Sequence, residues 1–203
     1  ILDQDWNSEW EKDVPSVKFG DFCMVRPESK PQDKRVRYDI IINPRQSFGT
    51  ATHPTTAMIR EILSTIEVKG KSVMDMGCGT GVLGILCKKM GAIYVESIDN
   101  DKWAYENAVD NAQKNDVDIL LKEGGSEKIS KDKLFDIFIA NINLNILLDN
   151  IPQYVKHIKK GGMMIMSGFY KEDIDTLLQA VKPYNLSLSY STQKDNWAAI
   201  IIK

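Results

Sequence analysis

The residues most able to do chemistry lie in one short run, Asp75-Met76-Gly77-Cys78-Gly79-Thr80-Gly81. The apolar Ser72-Val73-Met74 before it reads as a short buried strand, and Val82-Leu83-Gly84-Ile85-Leu86 after it reads as a helix. A glycine-rich turn between a strand and a helix lets backbone approach a ligand closely and aims amide groups at it. Two registers compete. Gly79-Thr80-Gly81-Val82-Leu83-Gly84 satisfies G-x-G-x-x-G, and Asp99 follows at the distance of about 20 residues that a dinucleotide site requires. The other register, Gly77-x-Gly79-x-Gly81 directly after Asp75, sets a carboxylate beside the turn.

Electrostatics separates the two. A pyrophosphate at the helix N-terminus would meet like-charge repulsion from Asp75. S-adenosylmethionine carries no phosphate and brings a cationic ammonium and a sulfonium. Asp75 can attract that ammonium directly or through water, while loop amides of Gly77, Gly79 and Gly81 meet the methionyl carboxylate. Asp99 ends the strand Val95-Glu96-Ser97-Ile98 and can accept hydrogen bonds from both ribose hydroxyls. Asn100 and Asp101 are better placed than Asp99 to cap the helix that follows.

Asn141 ends a second buried run, Phe135 to Ala140, where strand ends of such sheets line a ligand crevice. Its amide can hold the cofactor or orient an incoming amine, or it caps a strand–helix junction. Asn141-Ile142-Asn143 differs from the Asn-Pro-Pro-Tyr signature of many amide and adenine methyltransferases. His53 is read as a loop hydrogen-bonder more than a general base. Thr55 and Thr56 either cap the next helix or reach the cofactor. Cys78 sits between glycines, where only small residues are tolerated, and is not read as a nucleophile. His157, late in an apolar helix, suits a surface or dipole contact. Lys30, Lys34, Arg35 and Arg37 form a local basic cluster, usually a solvated loop, with ribosomal RNA as a weak alternative partner.

These residues need a scaffold, and the pattern supplies one. From Pro54 helical and strand signals alternate: helices near 54–66, 82–89, 101–115, 144–158 and 173–181, and strands ending at Asp75, then 94–98, 119–121, 135–140, 163–167, 186–190 and 197–202. Alternating βα units imply an α/β, Rossmann-like sheet of seven mostly parallel strands with helices on both faces. The short connection Ser191 to Asn196 makes the last strand antiparallel. Residues 1–50 form a linker and small β extension, in which Asp21–Val25 and Tyr38–Ile42 pair as a hairpin or paired strands. Residues 51–203 form the ligand-binding domain.

Composition narrows the classes further. The 203 residues carry a net charge of -2, so no global basic field argues for nucleic acid. Cys23, Cys78 and Cys87 form no C-x-x-C pair and suit a reducing cytoplasm. Two distant histidines argue against a metal site. No apolar stretch approaches the ~20 residues of a membrane span.

Taken in order, Asp5-Trp6-Asn7 and Trp10, Asn43-Pro44, Phe48-Gly49-Thr50-Ala51-Thr52-His53-Pro54-Thr55-Thr56, Asp75 to Gly81, Ile98-Asp99, Ala140-Asn141-Ile142, Ser167-Gly168 and Trp197 resemble the bacterial ribosomal protein L11 methyltransferases. The resemblance covers essentially the whole chain. It implies adenosylmethionine-dependent N-methylation of lysine and N-terminal amines of a large-subunit ribosomal protein. It also implies cofactor contacts from Thr56, Gly77, Asp99 and Asn141, with Phe48 closing near the reactive methyl. Three departures stand out. Ala51 replaces a usual glycine, Asn143-Leu144-Asn145 follows Ile142, and nothing corresponds to the family's small N-terminal recognition domain. The chain is therefore expected to be the catalytic portion of a longer enzyme. Rival expectations are a methyltransferase for RNA or another protein, an NAD-dependent dehydrogenase, and a cofactor-binding module without transfer.

Overall fold

A computed structural model describes residues 15–43 and 53–203. Three short strands open the described chain: Val17–Phe19 (β1), Cys23–Arg26 (β2) and Tyr38–Ile41 (β3). From Pro54 onward strands and helices alternate: Pro54–Thr65 (α1), Ser72–Met76 (β4), Val82–Lys89 (α2), Tyr94–Asp99 (β5), Lys102–Lys114 (α3) and Leu120–Glu123 (β6). Then come Phe135–Asn141 (β7), Leu144–Tyr154 (α4), Ile158–Tyr170 (β8), Ile174–Val181 (α5), Leu188–Lys194 (β9) and Trp197–Ile202 (β10).

The large sheet has seven strands in the order β6-β5-β4-β7-β8-β10-β9. Pairings from β6 to β8 are parallel, and β10 runs antiparallel to both its neighbours. The chain reverses between β9 and β10 at Asp195-Asn196, whose φ values of 50° and 67° suit a two-residue turn that matches strand twist. The Rossmann-like architecture expected from the alternation is the one observed.

Side chains alternate across each strand, and that alternation sorts the core into two clusters. Val73, Val95, Ile137, Ile139, Ile165 and Ile201 pack with Met58, Ile59, Ile62 and Leu63 of α1 and Leu83 and Leu86 of α2. Met74, Met76, Ile98, Phe138, Met164 and Ile200 face the other way, against Leu147 and Ile151 of α4 and Leu177 and Val181 of α5. Odd-numbered positions of β4, β5 and β7 therefore face α1 and α2.

Several boundaries differ from the sequence pattern for identifiable reasons. β2 and β3 do pair, but in parallel, because residues 27–37 cross over instead of turning back. Arg26 anchors that crossover with a paired hydrogen bond to Asp39, both at 2.8 Å. Antiparallel β1 supplies the hairpin partner instead. β8 starts at Ile158, ahead of Gly161-Gly162; the pairing jumps from Phe135↔Ile158 to Ile137↔Met163, so the glycines form a bulge inside the strand. α4 stops at Tyr154 and tightens into a 3-10 turn, Val155–His157. The small sheet contributes Cys23, Val25 and Ile40 to the α1/α2 cluster, joined by Ile42 just after β3, so it shares a core with the large sheet.

Phe138 is fully buried, edge-on to Phe135 at 6.3 Å and tilted on Tyr154 at 4.8 Å. Phe138→Ala leaves a cavity there and should cost about 3–5 kcal/mol. Urea titration should show a lower midpoint at an unchanged slope.

Candidate active site

The carboxyl ends of β4, β5 and β7 lie side by side, with Asp75 opposite both Ser97 and Ile139, and Asn141 opposite Ser167. Asp75, Asp99 and Asn141 all hold odd positions, so they share the face covered by α1 and α2. Between β4 and α2 the chain turns through Gly77, Gly79 and Gly81 at φ values of 68°, 54° and 77°. At Gly77 a Cβ would also stand 2.2 Å from Cγ2 of Ile142, so both backbone and space demand glycine there.

The amides of that turn are not left for a ligand, contrary to the expectation from sequence. Gly77 and Cys78 N–H both donate to the Ile98 carbonyl, at 2.8 and 3.1 Å, and Gly81 N–H donates to Cys78 O at 2.8 Å. Gly79 N–H donates to Oδ2 of Asp99 at 2.8 Å. The turn is laced to the end of β5, because a chain reversing this tightly must bond its own donors. Asp99 is 8% exposed, and its Oδ1 accepts the Asp101 N–H at 2.9 Å. Each carboxylate oxygen thus carries one backbone bond and keeps acceptor capacity for a ligand diol.

Capping falls on neighbours of the candidate residues. Asp101 accepts from Ala104 N and caps α3. Asn143 accepts from Ile146 N and caps α4, which leaves Asn141 out of the capping role. His53 caps α1 with its ring, its Nδ1 lies 2.7 Å from Thr55 Oγ1, and the ring stacks edge-on against Trp197. Thr56 is buried instead, and its Oγ1 accepts from Asn141 Nδ2 at 3.3 Å. This bond joins α1 to the end of β7. Ile142 N–H donates to Ser167 O at 3.1 Å, and Gly168 lies so close that a Cβ would be 2.4 Å from Ile142 O.

Asp75 is set deeper than its place in the motif implies. It is 1% exposed, its Oδ2 accepts from Gly84 N–H at 3.0 Å in the first turn of α2, and its Oδ1 is buried without a hydrogen-bond partner. Burial, opposed by the Gly84 N–H and reinforced by the nearby Asp99 charge, pushes its carboxyl up to about 7. Burial likewise drives the Cys78 thiol well above its usual range, which removes it as a nucleophile. His157 bonds the Lys133 carbonyl, remote from this edge of the sheet. In the basic cluster Arg35 pairs with Asp33, and the Arg37 guanidinium lies 5.2 Å over the Tyr38 ring.

Phe48, Ala51, Trp6 and Trp10 lie outside the described residues. The pattern also passed over Asn107 and Asn111 of α3 and Asn115 at its C-cap, all buried, of which Asn111 reaches the turn and Asn115 reaches β3. Their spacing of four, on a helix otherwise placed by Ala104, Ala108 and Ala112, was the available signal. Among the described residues no group of three His, Cys, Asp or Glu is placed to hold a metal ion.

A family profile described as ribosomal protein L11 methyltransferase (PrmA) matches residues 1–203. The chain belongs to the ribosomal protein L11 methyltransferase family. A relative of that name from Porphyromonas gingivalis is 40% identical over 200 residues, covering 98% of this chain and 69% of the relative. One from Bacteroides fragilis (strain YCH46) is 39% identical, covering 98% of this chain and 71% of the relative. A crystal structure of ribosomal protein L11 methylase from Lactobacillus delbrueckii subsp. bulgaricus superposes with a TM-score of 0.85 at 27% identity, over 94% of this chain and 98% of that one. A methyltransferase from Pyrococcus furiosus shares the fold, with a TM-score of 0.63 at 19% identity over 74% of this chain and 85% of that one. The protein is a methyltransferase of Rossmann-like fold, and family and fold imply S-adenosylmethionine as methyl donor. These comparisons do not favour the alternative readings.

A proton on Asp75 links the site to stability. Below about pH 4 folded and unfolded chains both hold it; between about 4 and 7 only the folded chain does. The folded state therefore loses stability as pH rises through that window, on the order of 4 kcal/mol, and levels off above it. Asp75→Asn should flatten this dependence and be the more stable protein at pH 8. Urea unfolding free energies at pH 5 and pH 8 check the difference between the two slopes.

Proposed function

We propose that this protein is a cytoplasmic, S-adenosylmethionine-dependent N-methyltransferase acting on lysine and N-terminal amines of ribosomal protein L11. The observation that carries this reading is the placement of Asp99 and the Thr56–Asn141 pair at the ends of β5 and β7, the two strands that flank β4, on one face of the sheet. Such a set offers acceptors and orientation without a nucleophile, and an activated methyl donor requires nothing more.

The residues fit the donor by their chemistry. Asp99, with one acceptor position remaining on each oxygen, would take the two ribose hydroxyls. Asp75, whose Oδ1 lacks a partner, would be held ionised by a nearby ammonium. Gly77, Gly79 and Gly81 keep side chains out of the floor on which the cofactor would lie. Bound adenosylmethionine supplies an electrophilic methyl on a positively charged sulfur.

The chain's own task is to present a neutral amine lone pair in line with that methyl, about 3 Å away. Asn141 suits this task. Its Nδ2 is committed to Thr56, which fixes the amide plane and leaves Oδ1 to accept a hydrogen from the arriving amine. Lysine amines have a reference pKa of about 10.4, so one proton must leave before attack, helped by desolvation among the apolar strand ends.

Incubation of ribosomal proteins with this protein and isotope-labelled donor, followed by mass spectrometry, should place label on lysine and N-terminal amines of L11. Label confined to RNA or to other proteins would sink the reading. For a lysine acceptor, the logarithm of kcat/KM should rise with pH with a slope near one. Asn141→Ala should lower kcat by about 100-fold through misplacement of the amine while leaving cofactor affinity less affected. Asp99→Ala should weaken cofactor binding by roughly 1.5–3 kcal/mol for each charge-assisted bond lost; unchanged affinity in calorimetry would exclude the ribose role.

A further inference from the structure

Among the described residues β3 is an edge strand, and its outer side is bonded by Asn115, the C-cap of α3. Asn115 presents its amide as a peptide would: Oδ1 accepts from Ile41 N–H at 2.9 Å and Nδ2 donates to Ile41 O at 2.6 Å. One turn earlier, Asn111 begins the same pattern and then departs from it. Its Oδ1 accepts from Asn43 N–H at 2.8 Å, but its Nδ2 donates to Thr80 O in the glycine turn at 2.9 Å. Asn111 is fully buried, and a further bond from Nδ2 to Asn107 Oδ1 at 3.2 Å sets the plane of its amide.

The Thr80 carbonyl and the Gly81 N–H belong to one peptide group. The carbonyl end is held by Asn111 and the amide end by Cys78 O. Gly81, at positive φ, carries no side chain to hinder rotation of this peptide plane, and the bonds at its two ends oppose that rotation. Loss of the Asn111 bond would take a hydrogen bond from the carbonyl of a fully buried residue of the turn. We infer that Asn111 is a positioning residue for the cofactor turn, locking the Thr80–Gly81 peptide and registering it against the end of β3. The inference rests on the reading that this turn holds adenosylmethionine.

The test uses the full chain and three variants. Asn111→Asp keeps the acceptor for Asn43 N–H and replaces the donor to Thr80 with an oxygen. Asn111→Ser covers the case in which the aspartate variant does not fold. Asn115→Ala removes an equivalent clamp on β3 that does not touch the turn. Titration with adenosylmethionine should give a Kd raised about tenfold or more in the Asn111 variants and within twofold of the parent in Asn115→Ala. All three should melt at a lower temperature. Amide hydrogen exchange without ligand should be faster at Gly81 in the Asn111 variants alone. Equal Kd and exchange changes in the Asn115 and Asn111 variants, or none in either, would overturn the inference. If the parent chain fails to bind adenosylmethionine yet Gly81 exchange responds only to Asn111, the function reading falls and the positioning role stands.

Discussion

Every donor in a tight chain reversal has to be bonded by something, and here the partner is the end of β5. The Ile98 carbonyl takes two amides of the glycine turn and the Asp99 carboxylate takes a third. This lacing holds β4, the turn and β5 as one unit. It fixes where α2 begins and orients the carboxylate that would meet a ribose. It also means that a ligand lying on the turn would meet its shape and not its amides, since those of Gly77, Cys78, Gly79 and Gly81 are already committed. Chemical discrimination would then pass to the side chains around it, Asp75, Asp99 and Asn141.

Helix caps explain how those side chains come to be available. At each of three junctions two or three polar residues stand close together, and only one caps the helix. His53 serves α1 and releases Thr56; Asp101 serves α3 and releases Asp99; Asn143 serves α4 and releases Asn141. A cap needs extended backbone immediately before the helix; Asp99 and Asn141, still at the ends of strands, keep their alternating orientation, and Thr56 already lies inside α1. The division of labour follows from position along the chain, not from side-chain type.

That principle also marks what the sequence could convey. The order of strands and helices, the antiparallel last strand and the family were legible because apolar periodicity and motif order are local properties. Asp101 as the cap in place of Asp99 was legible for the same reason. The parallel pairing of β2 and β3 was not, because crossing or turning back depends on where residues 27–37 travel in space. The bulge at Gly161-Gly162 depends on register with β7, again a non-local quantity. Asn111 and Asn115 escaped notice because an asparagine on a helix looks like a solvated residue until the strand it closes is known. The engagement of the turn amides was hidden likewise, since those of Gly77, Cys78 and Gly79 find their acceptors at Ile98 and Asp99 on the next strand.

Asp75 brings these strands of reasoning together. A carboxyl this deep, with one oxygen lacking a partner, is poorly stabilised as an anion by the protein alone, even with the Gly84 amide against it. A guest bearing phosphates would force it to stay neutral and would add repulsion from Asp99 nearby. A guest bearing an ammonium does the reverse: it draws the proton off Asp75, and the released charge attracts the guest in turn. The coupling predicts proton release on cofactor binding near pH 6–7, largest where the carboxyl is still protonated. Calorimetry in two buffers of different ionisation heat would register it, and Asp75→Asn would abolish it. Uptake of a proton instead would mean that the negatively charged end of the ligand, not its ammonium, lies against this acid.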